Sequence, residues 1–100
     1  MSLETLHQKF TRNEGIILDI REQAEYQRAH IPGSINMPGS TILQNYKKLP
    51  SGKDVFVICK EGIKSIGLAQ VLKLKRIKAR AVSPGGIEQW DQLGLPLNQK

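Results

Sequence analysis

Apolar positions along this chain alternate between two periods. Leu3, Leu6 and Phe10 sit at helical spacing behind Ser2, a side chain suited to cap a helix, and Asn13-Glu14-Gly15 ends that unit. The run "GIILDI" follows and reads as a buried strand. "REQAEYQRA" is polar around Ala24 and Tyr26, a short surface helix broken by Pro32 and Gly33 in "HIPGS". "INM" is a short strand. "STILQNYKKL" places Ile42, Leu43, Tyr46 and Leu49 on one helical face before the turn Pro50-Ser51-Gly52. "DVFVIC" carries the strongest strand pattern of all.

Beyond it, Ile66, Ala69, Val71 and Leu72 predict a helix from Ser65 to about Lys75. "IKARAV" predicts a weaker strand and "SPGG" a turn. Ile87, Trp90 and Leu93 lie at three-residue spacing on a last short helix. The order is α, β, α, β, α, β, α, β, α. Strands alternating with helices, two of them almost continuously apolar, imply an α/β domain with a mainly parallel central sheet and helices on both faces.

Composition narrows the function classes. At 100 residues the chain, residues 1–100, is read as one domain with a single modest core. Its 15 Lys and Arg against 9 Asp and Glu give a net charge of +6, which favours anionic ligands. The basic residues are spread along the whole length with few aromatics among them, so no nucleic-acid partner is expected. No apolar run has the length of a leader or a membrane span, and no membrane partner is expected. The single cysteine rules out an internal disulfide framework, and a lone thiol suits a reducing compartment, read as the cytoplasm.

That cysteine, Cys59, closes the strongest strand and opens a loop, Lys60-Glu61-Gly62-Ile63-Lys64, ahead of the helix at Ser65. In open α/β sheets, ligands bind beyond the carboxyl ends of the strands. Gly62 lets such a loop turn its backbone N–H groups inward around an anion, and the helix adds its positive end. The same surroundings favour a thiolate, with Lys60 and Lys64 as nearby cations. The alternative is an inert core residue, since free cysteine is among the most buried residue types. A basic, glycine-containing loop directly behind Cys59 favours the nucleophile.

Three stretches, "LDIREQAEYQRAHIPGSINMP", "VFVICKEGIKS" and "PGGIEQWDQLGLPL", resemble the successive signatures of the rhodanese-like domain family, in order and at matching separations across Leu3 to Leu97. The resemblance implies a five-stranded parallel sheet, its first short strand clipped here, and a sulfurtransferase working through a cysteine persulfide without metal or other cofactor. It implies Cys59 as the nucleophile and Lys60, Glu61, Gly62, Ile63, Lys64 and Ser65 as the substrate-binding loop. The partners it implies are a small sulfane-sulfur donor such as thiosulfate and a thiol or cyanide acceptor, with an acceptor protein as one form of the latter. Lys64 stands where many active members carry Arg, losing the planar fork. Glu61 places a carboxylate where relatives often have a small or polar residue. Arg76 replaces a usual helix-ending glycine.

Other candidates have structural readings. Asp19 and Arg21, at a strand end, read as an ion pair bracing a loop, His30 as a turn-fixing hydrogen-bonder and Trp90 as a core anchor. His7 and His30 lack further ligands at metal-binding spacing. Gly85-Gly86 is not a dinucleotide fingerprint. A cysteine-dependent phosphatase needs Arg six residues after the nucleophile, where this chain has Ser65. The remaining alternative is a non-catalytic interaction or regulatory domain of the same fold, favoured by Glu61 and the missing Arg and opposed by Cys59 itself.

Overall fold

The computed structural model describes residues 1–99. In chain order the elements are α1 (Leu3–Thr11), β1 (Ile16–Asp19), α2 (Gln23–Arg28), β2 (Ala29–His30), β3 (Ile35–Asn36), α3 (Ile42–Asn45), β4 (Asp54–Ile58), α4 (Lys64–Leu74), β5 (Lys78–Ala81), α5 (Ile87–Gln92) and β6 (Asn98–Gln99). Ser2 does cap α1, its Oγ accepting the Thr5 N–H at 3.1 Å. The chain leaves that helix through Asn13, in the left-handed region at φ 54°.

Four strands form the main sheet in the order β3-β1-β4-β5, every pair parallel. The short β2 and β6 pair separately, antiparallel. Four is the count expected of a five-stranded pattern lacking its first short strand. Met1 makes the backbone bonds of a further edge position, its N–H donating to Ala81 O at 2.6 Å and its O accepting the Ser83 N–H at 2.9 Å, but one residue is no strand.

Period-two alternation splits the core between the two faces. Leu18, Val55, Val57 and Ala79 pack with Ile42, Leu49, Ala69 and Leu72 on the α3 and α4 side. Ile17, Phe56 and Ile58 pack with Leu3, Leu6, Ile87 and Trp90 on the α1 and α5 side. Each face is covered, as a parallel sheet requires.

The helix predicted around Leu43 is not one continuous element. Short 3-10 turns at Gly39–Thr41 and Tyr46–Lys48 flank the four residues of α3, and Leu43 points outward at 66% exposure. Ile66 and Leu93 are likewise exposed, so only part of each predicted face reaches the core.

After β1 the chain crosses to β3 on one side, then returns to β4 on the other side of β1. The crevice between the carboxyl ends of β1 and β4 is thus the point where the winding reverses, the place where such sheets bind ligands. Asp19 ends β1, and Cys59 follows β4 directly.

Candidate active site

Cys59 lies at the floor of an open cavity of about 310 Å³ at this crevice. One wall comes from the segment after β1 (Ile20, Arg21, Glu22, Glu25) and the other from the loop after β4 (Lys60, Glu61, Ile63, Lys64). Five of the seven loop residues singled out in the sequence therefore line one space. The other two, Gly62 and Ser65, are buried behind it.

The loop folds back on its own cysteine. The Gly62 N–H donates to Cys59 Sγ at 3.1 Å. Gly62 holds φ 89°, and a Cβ there would press on Gly85 O and come within 2.7 Å of Gly85 N. Behind the loop, Ile87 N–H donates to Cys59 O at 2.9 Å and Glu88 N–H to Lys60 O at 3.2 Å. A Cβ on Gly86 would approach Lys60 O to 2.6 Å. The Gly85-Gly86 pair is thus the wall on which the loop rests. Sequence reasoning excluded it as a nucleotide motif but did not see this role, although two glycines just ahead of a helix signal a close backbone approach.

No side chain caps α4, and the Ser65 N–H of its first turn is directed at Cys59. Burial pushes the Cys59 thiol up, but the Ser65 hydroxyl and the backbone N–H groups of Ser65, Gly62 and Glu61 outweigh it. The net result is a pKa below the ordinary cysteine value. Ser65 is fully buried and its hydroxyl also reaches Val82 O at 3.1 Å, so one proton serves two acceptors. A thiolate is the stronger of the two.

Neither lysine is among the causes that lower this pKa, which corrects the expectation that Lys60 and Lys64 act on the thiol as nearby cations. Lys60 turns outward to Glu88, 3.5 Å away, with over half of its side chain exposed. Around the mouth, Glu22, Glu25 and Glu61 offset Lys60, Lys64 and Arg21. The two acids of the α2 segment were missed in the sequence, because nothing local to them announces that β1 and β4 are neighbours.

Asp19 and Arg21 make the bracing pair expected of them. His30 Nδ1 donates to Tyr26 O at 2.8 Å, and the two rings stack with centroids 4.0 Å apart, fixing the exit from α2. Trp90 is fully buried, donates from Nε1 to Pro96 O at 2.8 Å and meets Phe10 edge-on.

The family model described as Rhodanese-like domain matches residues 2–93. The chain belongs to the rhodanese-like domain family. It is 32% identical over 91 residues to YrkF of Bacillus subtilis, named as a candidate sulfur carrier protein, covering 90% of this chain and 49% of that one. It is 30% identical over 104 residues to a protein of Allochromatium vinosum named sulfurtransferase, covering 94% of this chain and 89% of that one. The crystal structure of a rhodanese-related protein from Thermoplasma volcanium superposes with a TM-score of 0.91 at 28% identity, over 100% of this chain and 97% of that one. The chain thus spans about half the length of one curated relative and most of another. No helix among the described residues is long and apolar enough to cross a membrane.

Proposed function

We propose that residues 1–100 act as one rhodanese-like domain that transfers sulfane sulfur through a persulfide on Cys59. The observation that carries this reading is the Gly62 N–H on the Cys59 sulfur at 3.1 Å, within a loop whose amides lower the thiol's pKa. Its relatives named for sulfur carriage and sulfur transfer support the same chemistry.

In the first half-reaction the Cys59 thiolate attacks the outer sulfur of a donor such as thiosulfate. A sulfur–sulfur bond forms as the donor's own sulfur–sulfur bond breaks, and the electron pair leaves with sulfite. The persulfide left behind carries its negative charge on the terminal sulfur, where the loop N–H groups and the start of α4 stabilise it. In the second half, an acceptor thiolate or cyanide takes that outer sulfur and the bonding pair returns to Cys59. Splitting the transfer in two lets one nucleophile serve unlike donors and acceptors. Glu61, Ile63 and Lys64 line the donor's way in, while Gly62 and Ser65 act on the sulfur from behind. A working thiolate without a partner cysteine belongs in a reducing compartment, and the cytoplasm is the proposed location.

Intact-protein mass spectrometry tests this reading. After incubation with thiosulfate the protein gains one sulfur atom, cyanide removes it, and Cys59→Ser shows neither change while remaining folded. A reduced, accessible Cys59 that gains no mass from several donors would replace this reading with that of a non-catalytic interaction domain.

A further inference from the structure

The opposite end of the sheet carries a second cavity that sulfur transfer does not use. It measures about 280 Å³ and lies at the amino ends of β4 and β5, beneath the turn Pro50–Lys53, the turn Lys75–Lys78 and the segment around Tyr46. Five of the chain's 15 Lys and Arg line it, namely Lys47, Lys53, Lys75, Arg76 and Lys78, and no acidic residue does. None of the five is in an ion pair among the described residues. Asp54, the next residue along, is exposed and does not line the space. Lys75 Nζ lies 5.6 Å from the centre of the Tyr46 ring, and Arg76 holds a left-handed φ of 65°.

Like charges gathered around one concavity repel, and none of the five has an ion-pair partner among the described residues. We propose that this cavity binds an oligophosphate, a small ligand carrying two or three linked phosphoryl groups. Four of the five cations are lysines, compact point charges that suit phosphate oxygens approaching from several directions. Leu49, Pro50 and Ile77 form apolar walls, which lower the local dielectric and strengthen each of these attractions. The volume is many times the roughly 30 Å³ share of one water, so it suits linked phosphoryl groups better than a lone sulfate-sized ion. A bounded hollow with one aromatic also differs from the stacking track that a nucleic-acid strand needs. The proposal is independent of the chemistry at Cys59.

The probes are inorganic tripolyphosphate and ATP, with adenosine and sulfate as controls, titrated by calorimetry and by amide chemical shifts. Tripolyphosphate and ATP are expected to bind at one site, to move the amides of Lys53 and Lys75–Lys78, and to weaken as salt is added. Adenosine is expected not to bind, and sulfate to bind at least about tenfold more weakly than tripolyphosphate. Lys53→Glu and Lys78→Glu are each expected to lower affinity about tenfold or more, and the milder Lys53→Gln to lower it less. Arg28→Glu, the same charge change on α2 at the other end of the molecule, is expected to leave it within about twofold. Equal losses in Arg28→Glu and Lys53→Glu would overturn the site in favour of overall charge. Binding that appears only with long RNA or heparin and not with tripolyphosphate would overturn the oligophosphate assignment.

Discussion

Arg21 closes a fork on the fully buried carboxylate of Asp19. Its Nε lies 3.1 Å from both oxygens and its Nη2 2.8 Å from Oδ2. The backbone N–H of Arg21 donates to the same carboxylate at 3.0 Å, and Nη2 reaches on to Ala29 O at 2.6 Å. One ion pair thus ties the end of β1 to the end of α2 and sets the wall of the cavity facing Cys59. Asn36 completes the brace, donating from Nδ2 to Asp19 O and Arg21 O at 3.0 and 2.9 Å.

Removing the guanidinium strands a buried charge. Arg21→Ala is expected to lower stability by about 3 to 5 kcal/mol in urea unfolding. A loss below about 1 kcal/mol would mean that water replaces the fork without difficulty.

The bracing role was legible because Asp19 and Arg21 sit two apart at a strand end, a local signal. The Cys59 loop was legible for the same reason: strand, nucleophile, glycine and helix are consecutive. What the sequence concealed depends on residues far apart in the chain. Glu22 and Glu25 enter the cavity only because β1 and β4 pair in the sheet. Gly85-Gly86 becomes a wall only because its turn folds onto Cys59 and Lys60. Helical periodicity also overreached around Leu43, because α3 is too short to present a whole face and tight turns take over on either side. The basic hollow is the clearest case of this kind. Lys47, Lys53 and Lys75 to Lys78 look dispersed along the chain, and the fold gathers them.

Glu61 lines the mouth of the cavity, where a carboxylate opposes the approach of an anion. Glu61→Ser is expected to raise thiosulfate turnover about two- to fivefold at low ionic strength, in line with one partly screened surface charge. The gain shrinks as salt is added. Equal rates for the two proteins across a salt series would remove Glu61 from the donor's path.

The direction of the Cys59 shift fixes two pH profiles. The folded protein holds the thiolate more readily than the unfolded chain does, so the stabilisation is full above the free-thiol value of about 8.5 and is lost as pH falls through the lower folded value. The stability of wild type relative to Cys59→Ser therefore rises with pH across that window. Sulfur loading inflects below about 8.5 as well, and Ser65→Ala moves the inflection upward by removing a hydroxyl that favours the thiolate. An inflection unmoved by Ser65→Ala would leave the backbone amides as the whole cause.

Aryl phosphate hydrolysis is expected to be absent. Lys64 and Ser65 occupy the fifth and sixth positions after Cys59, and neither offers a fork for the equatorial oxygens of a phosphoryl group. Turnover that disappears in Cys59→Ser would contradict this.

Arg76 follows α4 at φ 65°, where a side chain meets the neighbouring carbonyl at a penalty of about 1 to 2 kcal/mol. Glycine occupies that region freely but gives the unfolded chain more freedom, which offsets about 0.5 to 1 kcal/mol of the gain. Arg76→Gly is thus expected to stabilise the fold by about 0.5 to 1 kcal/mol, read as a higher urea midpoint at unchanged slope. The same change deletes one of the five cations around the basic hollow, so the more stable variant binds tripolyphosphate more weakly. Arg76→Lys separates the two effects: it retains both the strain and the charge, and is expected to match the wild type in stability and to bind nearly as well. If Arg76→Gly gains stability without losing affinity, the guanidinium has no part in the anion site and its conformation needs another cause.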